Sequence, residues 1–253
     1  MPKERIDILL TCRGLADSRS KAQALVMAGV VLVNERRVEK PSEKVANDSA
    51  IRLKDGAVAR YVGRGGLKLE AALQYFSIDP TGFHCLDIGS STGGFTDCLL
   101  QNGALRVIAV DSGTNQLDWR LRSDERVTAY ENTNARRLVL ADVGGTAFDL
   151  IVMDVSFISA TKILPVFAKL LKADGWAVVL VKPQFEVGRG EVGKGGIVRE
   201  AFKHERVVKE VNACAECLGL RPVGVMPSPI LGAEGNQEFL ACYRLAPREI
   251  AEN

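Results

Sequence analysis

One run restricts this chain more than any other: Leu86-Asp87-Ile88-Gly89-Ser90-Ser91-Thr92-Gly93-Gly94-Phe95-Thr96-Asp97. A short apolar segment ends in an acid, crosses glycines and hydroxyls, and becomes amphipathic. That pattern is a strand, a tight turn and the start of a helix. Glycines there let a ligand approach the backbone, and the helix start offers free N–H groups. The alternation continues from residue 84 onward. Strands are expected at His84–Ile88, Arg106–Val110, Val127–Tyr130, Asp149–Met153, Trp176–Val181, Pro222–Met226 and Phe239–Arg244. Helices are expected at Gly94–Asn102, Thr114–Arg122, Ala135–Leu140, Ile158–Leu171 and Arg199–Leu218. Near-continuous apolar strands between helices imply an α/β fold, with a mostly parallel seven-stranded sheet covered on both faces.

Composition narrows the class. Hydrophobic residues make up 47% and charged residues 25% of the chain, as in an ordinary globular protein. The longest purely apolar run, near Trp176–Val181, is far short of the roughly 18 residues a membrane helix needs. The first residues, Met1-Pro2-Lys3-Glu4-Arg5, carry charge where a secretion signal would be apolar, so a cytoplasmic protein without membrane contact is expected. The six cysteines are scattered, and Cys214-Ala-Glu-Cys217 has no second pair to complete a metal site, so no metal is expected. Only His84 and His204 are present, which leaves histidine-based catalysis little to work with. Charge is split: residues 1–68 hold 14 Lys and Arg against 8 Asp and Glu, and the remainder 19 against 23. A basic front piece on a slightly acidic body points to an anionic partner for the front.

That front piece has its own logic. Residues 5–13 form a short helix with Ile6, Leu9 and Leu10 on one face. Asp17 or Ser18 caps a second helix that runs to about Ala28 and stops at Gly29. Val30–Val33, a turn at Asn34-Glu35 and Arg36–Val38 make a hairpin; 41–48 is a loop and Ile51–Leu53 a further short strand. The features Ser18-Arg19-x-x-Ala22, Gly29-x-Val31 and Val33-Asn34 resemble the small αL RNA-binding domain of a ribosomal small-subunit protein, pseudouridine synthases and tyrosyl-tRNA synthetases. The resemblance implies a small α+β module that grips structured RNA by shape and phosphate, with Arg5, Arg13, Ser18, Arg19, Lys21, Arg36 and Arg37 as its contacts.

In an open α/β sheet, ligands bind beyond the carboxyl ends of the strands. Those ends carry Asp87 with the glycine turn, Asp111, Asn132-Thr133-Asn134, Asp154-Val155-Ser156-Phe157 and Lys182-Pro183-Gln184-Phe185-Glu186. Each residue alone could be a helix cap or a surface charge; together on one rim they describe a site. Asp111 lies 22 positions after Gly89, where an acid accepts from a ribose diol. The turn Gly89-x-x-x-Gly93-Gly94 is not the dinucleotide G-x-G-x-x-G, and no Gly-Lys-Ser/Thr follows it as a P-loop requires. If the ligand is S-adenosylmethionine, the residues after the fourth strand report on the acceptor. They are neither Asp/Asn-Pro-Pro-aromatic, as for amino groups of adenine, nor a cysteine, as for carbon methylation of cytosine. Lysine and aspartate suit a hydroxyl, which must be held in line and lose its proton.

Residues 60–245 resemble the FtsJ-like ribose 2′-O-methyltransferases, whose site is a Lys-Asp-Lys-Glu tetrad; the matching positions are Lys68, Asp154, Lys182 and Glu238. With the front domain included, the chain is similar to the TlyA (haemolysin A) family of ribosomal RNA methyltransferases. The runs Gly63-Arg64-Gly65-Gly66-Leu67-Lys68-Leu69, Asp87–Asp97, Asp154–Ser159 and Val181–Glu186 carry the match. The resemblance implies a Rossmann-like S-adenosylmethionine methyltransferase fold and methylation of cytidine 2′-hydroxyls in ribosomal RNA or assembled subunits; the oligomeric state is left open, with a monomer favoured. It implies domains at 1–59 and 67–246, a linker at 60–66 and a tail at 247–253. It gives Lys182 the part of general base or hydroxyl-orienting group, Asp154 and Glu238 the holding of the lysines, and Lys68 the positioning of the hydroxyl or a phosphate. Asp87, Gly89, Ser90, Ser91, Thr92, Gly93, Gly94 and Phe95 form the cofactor turn, Asp111 takes the ribose, Asn134 lies near the adenine, and Arg64 contacts RNA. The glycine-rich stretch Val187–Val198 is expected to be a mobile lid, an RNA contact or a disordered loop. Two other classes compete: a membrane-lytic haemolysin, which the absence of an apolar span disfavours, and an RNA-binding scaffold with a dead active site, which the intact tetrad disfavours.

Overall fold

The computed structural model describes residues 2–16, 18–27, 29–53, 60–188, 190–232 and 235–247. The chain divides into two compact units, Met1–Arg60 and Tyr61–Asn253.

The first unit is built from β1 (Lys3–Arg5), α1 (Ile6–Cys12), α2 (Arg19–Met27), β2 (Val31–Val33), β3 (Arg36–Arg37), β4 (Lys44–Ala46) and β5 (Ile51–Leu53). Ile6, Leu10, Ala22, Val26, Val31, Val38 and Val45 are buried together, so each short element is held by packing rather than by its own propensity. Ser18 sits at the head of α2, its carbonyl accepting from Ala22 N at 2.9 Å; the alternative cap, Asp17, lies outside the described residues. Asn34 and Glu35 both have positive φ (48° and 64°), as a two-residue hairpin turn twisted to match its strands requires. The loop expected at 41–48 contains a strand. β4 pairs antiparallel with β1, and β5 pairs with β2 as a third strand beside the hairpin. Three residues, Lys-Val-Ala, are too few and too polar to display a period-2 pattern.

The second unit opens with α3 (Gly65–Tyr75), followed by β6 (His84–Ile88), α4 (Gly94–Gln101), β7 (Arg106–Val110), α5 (Trp119–Arg122), β8 (Val127–Tyr130), β9 (Phe148–Met153), α6 (Leu164–Leu170), β10 (Leu171–Val181), α7 (Pro183–Glu186), α8 (Ala201–Cys217), β11 (Leu220–Pro227) and β12 (Phe239–Leu245). The strands form one seven-stranded sheet in the order β11-β12-β10-β9-β6-β7-β8. β12 lies between β10 and β11 and runs antiparallel to both, while β10, β9, β6, β7 and β8 are mutually parallel. Strand order reverses at β6: β7 and β8 extend the sheet on one side and β9 begins the other. Such a switch point opens a crevice at the carboxyl ends of the two strands.

Alternate residues feed opposite faces. Leu86, Ile88, Ile151, Met153, Val179 and Val181 pack with α6 and α8 side chains such as Phe167 and Val211. Cys85, Leu150, Val152, Val178, Leu180, Leu240 and Cys242 pack with Leu69, Leu73, Phe95 and Leu99 of α3 and α4. Each fully buried Leu, Ile or Phe contributes about 1.5–3 kcal/mol through removal from water.

Several elements depart from expectation. Residues 61–66, expected as linker, belong to the second unit: Tyr61 is buried, Asp97 accepts from Val62 N at 2.7 Å, and α3 begins at Gly65. The helix expected at Thr114–Arg122 is limited to α5, because Asn115 has positive φ and Asp118 starts the helix by accepting from Arg120 N. Ala135–Leu140 is reduced to 3-10 turns, and Ile158–Leu171 to a 3-10 turn at Ala160–Lys162 followed by α6. Pattern alone cannot separate a 3-10 turn from the first turn of an α-helix.

Candidate active site

The glycine turn after β6 is shaped by its neighbours. Gly89 has φ 82°, and a Cβ there would stand 2.3 Å from the carbonyl oxygen of Asp154. That contact follows from adjacent parallel strands meeting at their ends, where Asp154 N donates to Ile88 O at 3.0 Å. A Cβ on Gly94 would lie 3.0 Å from Gly66 N, so glycine on both sides lets α3 and α4 touch at their N-termini. Gly93, expected to face a cofactor, is turned the other way: its missing side chain would strike Leu121 Cδ1 at 2.2 Å. Asp87 also departs from expectation. It is fully buried and lines neither cavity described below; one oxygen accepts from the Thr96 hydroxyl at 2.7 Å and the other has no partner. Burial, reinforced by the nearby Asp154 and Asp111 charges, pushes its carboxyl up to about 7.

Two cavities adjoin at the switch point. The smaller, about 290 Å³, is lined by Arg64, Lys68, Gly89, Ser90, Ser91, Thr92, Gly94, Phe95, Asp154, Ser156 and Lys182, with Gly232 among the rest. The larger, about 760 Å³, runs along Asp111, Gln116, Asn132, Asn134 and Arg136, with Ile88, Val110 and Ile163 as apolar walls. Gly89, Ser91, Asp154 and Ser156 line both.

Around the smaller cavity four charged side chains from four elements form two ion pairs. Lys182 Nζ lies 2.6 Å from Asp154 Oδ1 and donates to Ser156 Oγ at 2.9 Å. Lys68 pairs with Glu238, both side chains buried. Strand parity explains the convergence. Asp154, Lys182 and Glu238 lie two residues beyond Val152, Leu180 and before Leu240, all of which face α3, and Lys68 is on α3 itself. Gly232 leaves room for the Glu238 carboxylate; a Cβ there would be 2.1 Å from Oε1. Two ammonium–carboxylate pairs in a small, partly dry pocket can orient a polar acceptor and move a proton.

The larger cavity has the features of a nucleoside slot. Asp111 holds its carboxylate at the rim through Ser91 N (2.8 Å) and Gly113 N (2.7 Å). Asn134 caps the turn Ala135–Arg137, accepting from Arg136 N at 3.1 Å. A volume of this size, apolar walls, an acid at the rim and an adjoining acid at Asp154 fit a ligand with an aromatic base, a diol and a positive charge. Phe157, after β9, is 92% exposed at this cavity with φ 64°, an unusual backbone for an aromatic, and its ring lies 5.2 Å from that of Phe185. Glu186 braces this corner by accepting from Ser159 Oγ (2.5 Å) and Ala160 N (2.7 Å), and burial raises its pKa. Gln116 was not singled out from sequence, and Ser156 and Phe157 were named only within the run Asp154–Phe157, with no role of their own. Only Ser156, two positions beyond Asp154 on a strand end, carried a parity signal.

The Val187–Val198 stretch is a braced loop. Glu191 bonds Arg206 at 2.8 Å, Lys203 donates to Glu191 O at 2.9 Å, and buried Asn236 accepts from Val198 N and donates to Gly196 O. Its Arg189 lies outside the described residues. In the first unit, Lys21, Arg36 and Arg37 are exposed; Arg13 donates to the carbonyls of Ser49 and Asn47, and Arg5 and Arg19 both bond Asp7. Arg64, exposed, stands at the smaller cavity of the second unit. Among the described residues no group of three or more His, Cys, Asp or Glu is placed to hold a metal, and no helix is long and apolar enough to cross a membrane.

Residues 61–245 match the FtsJ-like methyltransferases and residues 4–50 the S4 domain. The chain belongs to the FtsJ-like methyltransferase family. This FtsJ-like chain is 50% identical over 238 residues (94% of it, 84% of the relative) to YqxC of Bacillus subtilis, assigned as an rRNA methyltransferase. It is 43% identical over 242 residues (96% and 90%) to the 16S/23S rRNA (cytidine-2′-O)-methyltransferase TlyA of Mycobacterium tuberculosis. A solved structure from Streptococcus thermophilus, named as a hemolysin, superposes with TM-score 0.75 at 48% identity, covering 97% of this chain and 90% of that one. The S4 match falls within the first unit and the FtsJ-like match within the second.

Proposed function

We propose that this chain is an S-adenosylmethionine-dependent methyltransferase that modifies the ribose 2′-hydroxyl of cytidine in ribosomal RNA. The observation that carries the reading is the double ion pair, Lys182–Asp154 and Lys68–Glu238, at a small cavity that opens onto a nucleoside-sized one. Similarity to the M. tuberculosis enzyme across nearly the whole chain supports it.

Asp111 and Asn134, which line the larger cavity, would hold the ribose and base ends of S-adenosylmethionine, and Gly89 and Ser91, which line both cavities, would hold its amino-acid end. When bound, S-adenosylmethionine supplies a methyl group on a positively charged sulfur. Lys182, held by Asp154 and Ser156, orients the acceptor hydroxyl and, having first released its own ammonium proton to solvent, takes the hydroxyl proton as the new O–C bond forms and the methyl–sulfur bond breaks. Lys68, anchored by Glu238, positions the same hydroxyl or the neighbouring phosphate. Holding the acceptor in line is the larger part of the work, since well-oriented groups recover about 7–11 kcal/mol of the barrier in favourable cases. The exposed ring of Phe157 suits stacking on a base at the mouth of the site. The S4 unit, with exposed Lys21, Arg36 and Arg37, delivers the RNA. A scaffold with a dead site would have no use for two ion pairs gathered at one cavity. A cytoplasmic location fits six free cysteines and a ribosomal substrate.

Incubating the protein with ribosomal subunits and labelled cofactor, followed by alkaline hydrolysis of the RNA, tests the reading. A 2′-O-methyl group blocks cleavage of the adjacent phosphodiester, so label is expected in an alkali-resistant dinucleotide. Label confined to mononucleotides would assign base methylation and refute the proposal.

A further inference from the structure

Asp7 is the one fully buried carboxylate of the first unit among its described residues, and four side-chain donors converge on it. Arg5 binds it bidentately, Nε to Oδ1 at 3.0 Å and Nη2 to Oδ2 at 2.9 Å. Arg19 Nε reaches Oδ2 at 3.0 Å, and Gln23 Nε2 reaches the same oxygen at 2.9 Å. The Arg5 bond outweighs burial and holds the Asp7 carboxyl far below its usual range, so it is an anion at any working pH.

One bidentate arginine would satisfy such a carboxylate. Here a second arginine is added, and it is attached by Nε alone. Among the described residues both Nη groups of Arg19, and Nη1 of Arg5, meet no acceptor. Their side chains remain 56% and 32% exposed although Asp7 beneath them is at 0%. Because Arg5 Nη2 and Arg19 Nε bond the same oxygen at 2.9 and 3.0 Å, the two nitrogens are at most 5.9 Å apart. The cluster keeps a net positive charge with six outward N–H groups. A planar fork of donors at fixed spacing is suited to phosphate oxygens.

We propose that Asp7 is a positioning residue of the RNA-binding face, holding Arg5 and Arg19 as a fixed pair of guanidiniums that grips one backbone phosphate. The inference rests on the RNA-binding reading above and names the device within it. Arginine side chains lose much rotamer freedom when they bind, and ordering them beforehand removes that loss from the binding step.

The test exploits opposite signs. Charge alone says that removing an anion from an RNA-binding face tightens binding, because the net positive charge rises. Positioning says that it weakens binding. Full-length wild-type protein, Asp7→Asn, Arg19→Lys and the double variant are compared by filter binding to transcribed small-subunit ribosomal RNA at fixed salt. Circular dichroism and the affinity for S-adenosylmethionine, which the second unit binds, verify that each variant is folded. Asp7→Asn is expected to weaken RNA binding about tenfold despite its added charge. Arg19→Lys, which keeps the charge and loses the fork, should weaken it similarly, and the double variant should be little worse than either single. Equal or tighter binding by folded Asp7→Asn, or losses that simply multiply in the double variant, would overturn the proposal. If Asp7→Asn fails to fold, Gln23→Ala, which removes one tether at constant charge, replaces it: two- to threefold weaker binding supports the proposal and unchanged binding overturns it. Absence of RNA binding by the wild type would instead refute the RNA-binding reading on which the inference rests.

Discussion

Lys182→Met separates the chemistry of the site from its architecture. Methionine keeps the length and apolar stem of lysine and removes Nζ, with its contacts to Asp154 Oδ1 at 2.6 Å and Ser156 Oγ at 2.9 Å. Breaking a fully buried pair costs roughly 3–5 kcal/mol, because a charge is left without a partner. The Asp154 side chain is 22% exposed and faces a cavity that water can enter, which brings the expected destabilisation down to about 1–2 kcal/mol. For a unit of this size, 1 kcal/mol lowers the melting temperature by about 2–4 °C, so a shift of a few degrees is expected in a calorimetric scan. Turnover should fall much further. Loss of a general base and orienting group together corresponds to about 10²–10⁴-fold in kcat. Single-turnover methyl transfer to ribosomal subunits measures the chemical step, and calorimetric titration with S-adenosylmethionine measures binding. The expected outcome is a loss of at least a hundredfold in rate with cofactor affinity within about threefold of wild type. Retention of more than a tenth of the rate, or a collapse of cofactor binding with the rate preserved at saturation, would refute the assignment.

Two further predictions follow from the turn. The Asp87 carboxyl sits at about 7 in the folded protein against the ordinary 3.8. The folded state therefore holds this proton more tightly than the unfolded chain, and the contribution of Asp87 to stability declines as pH rises from about 4 to about 7. Asp87→Asn, which preserves an acceptor for Thr96, should gain stability relative to wild type across that window, on the order of 1–3 kcal/mol, and melting curves of both proteins from pH 4.5 to 8 check this; a constant difference would count against it. Gly89→Ala places a Cβ 2.3 Å from Asp154 O at φ 82°, whereas Gly144→Ala meets nothing within 4 Å at φ 88°. The first should lose more than about 2 kcal/mol together with cofactor binding, the second only about 1 kcal/mol from backbone strain, as chemical denaturation and titration would report.

The central strands of the second unit were legible because two-sided burial fills them with apolar residues, as in Phe148–Met153, while the part-buried edge strand Val127–Tyr130 was marked by β-branched and aromatic residues. His84–Ile88, Arg106–Val110 and Val127–Tyr130 have the boundaries expected from the apolar pattern. Helices were less so: Thr114–Arg122 and Ala135–Leu140 have helical composition, but the chain there follows the cavity wall and turns at Asn115 and Asn132 with positive φ. The reading of the glycine turn was right in place and incomplete in reason. Gly93 and Gly94 are there as much for packing against Leu121 and Gly66 as for any ligand, and Asp87 lies beneath the site instead of in it.

Local order along the chain determined the alternating elements, the acid or lysine at each strand end, and the parity that sends Asp154, Lys182 and Glu238 to the face of α3. These depend on side-chain chemistry and a two-residue period, both written in the residues themselves. Tertiary structure alone decided which ends meet. Lys68 and Glu238 are 170 positions apart and become partners because β12 inserts between β10 and β11. Likewise Asp7, unremarked in its sequence context, became the anchor of two arginines only when α1, α2 and β1 packed around it. Pairing across long separations is set by how apolar faces of whole elements stack, and no local stretch of sequence contains that information.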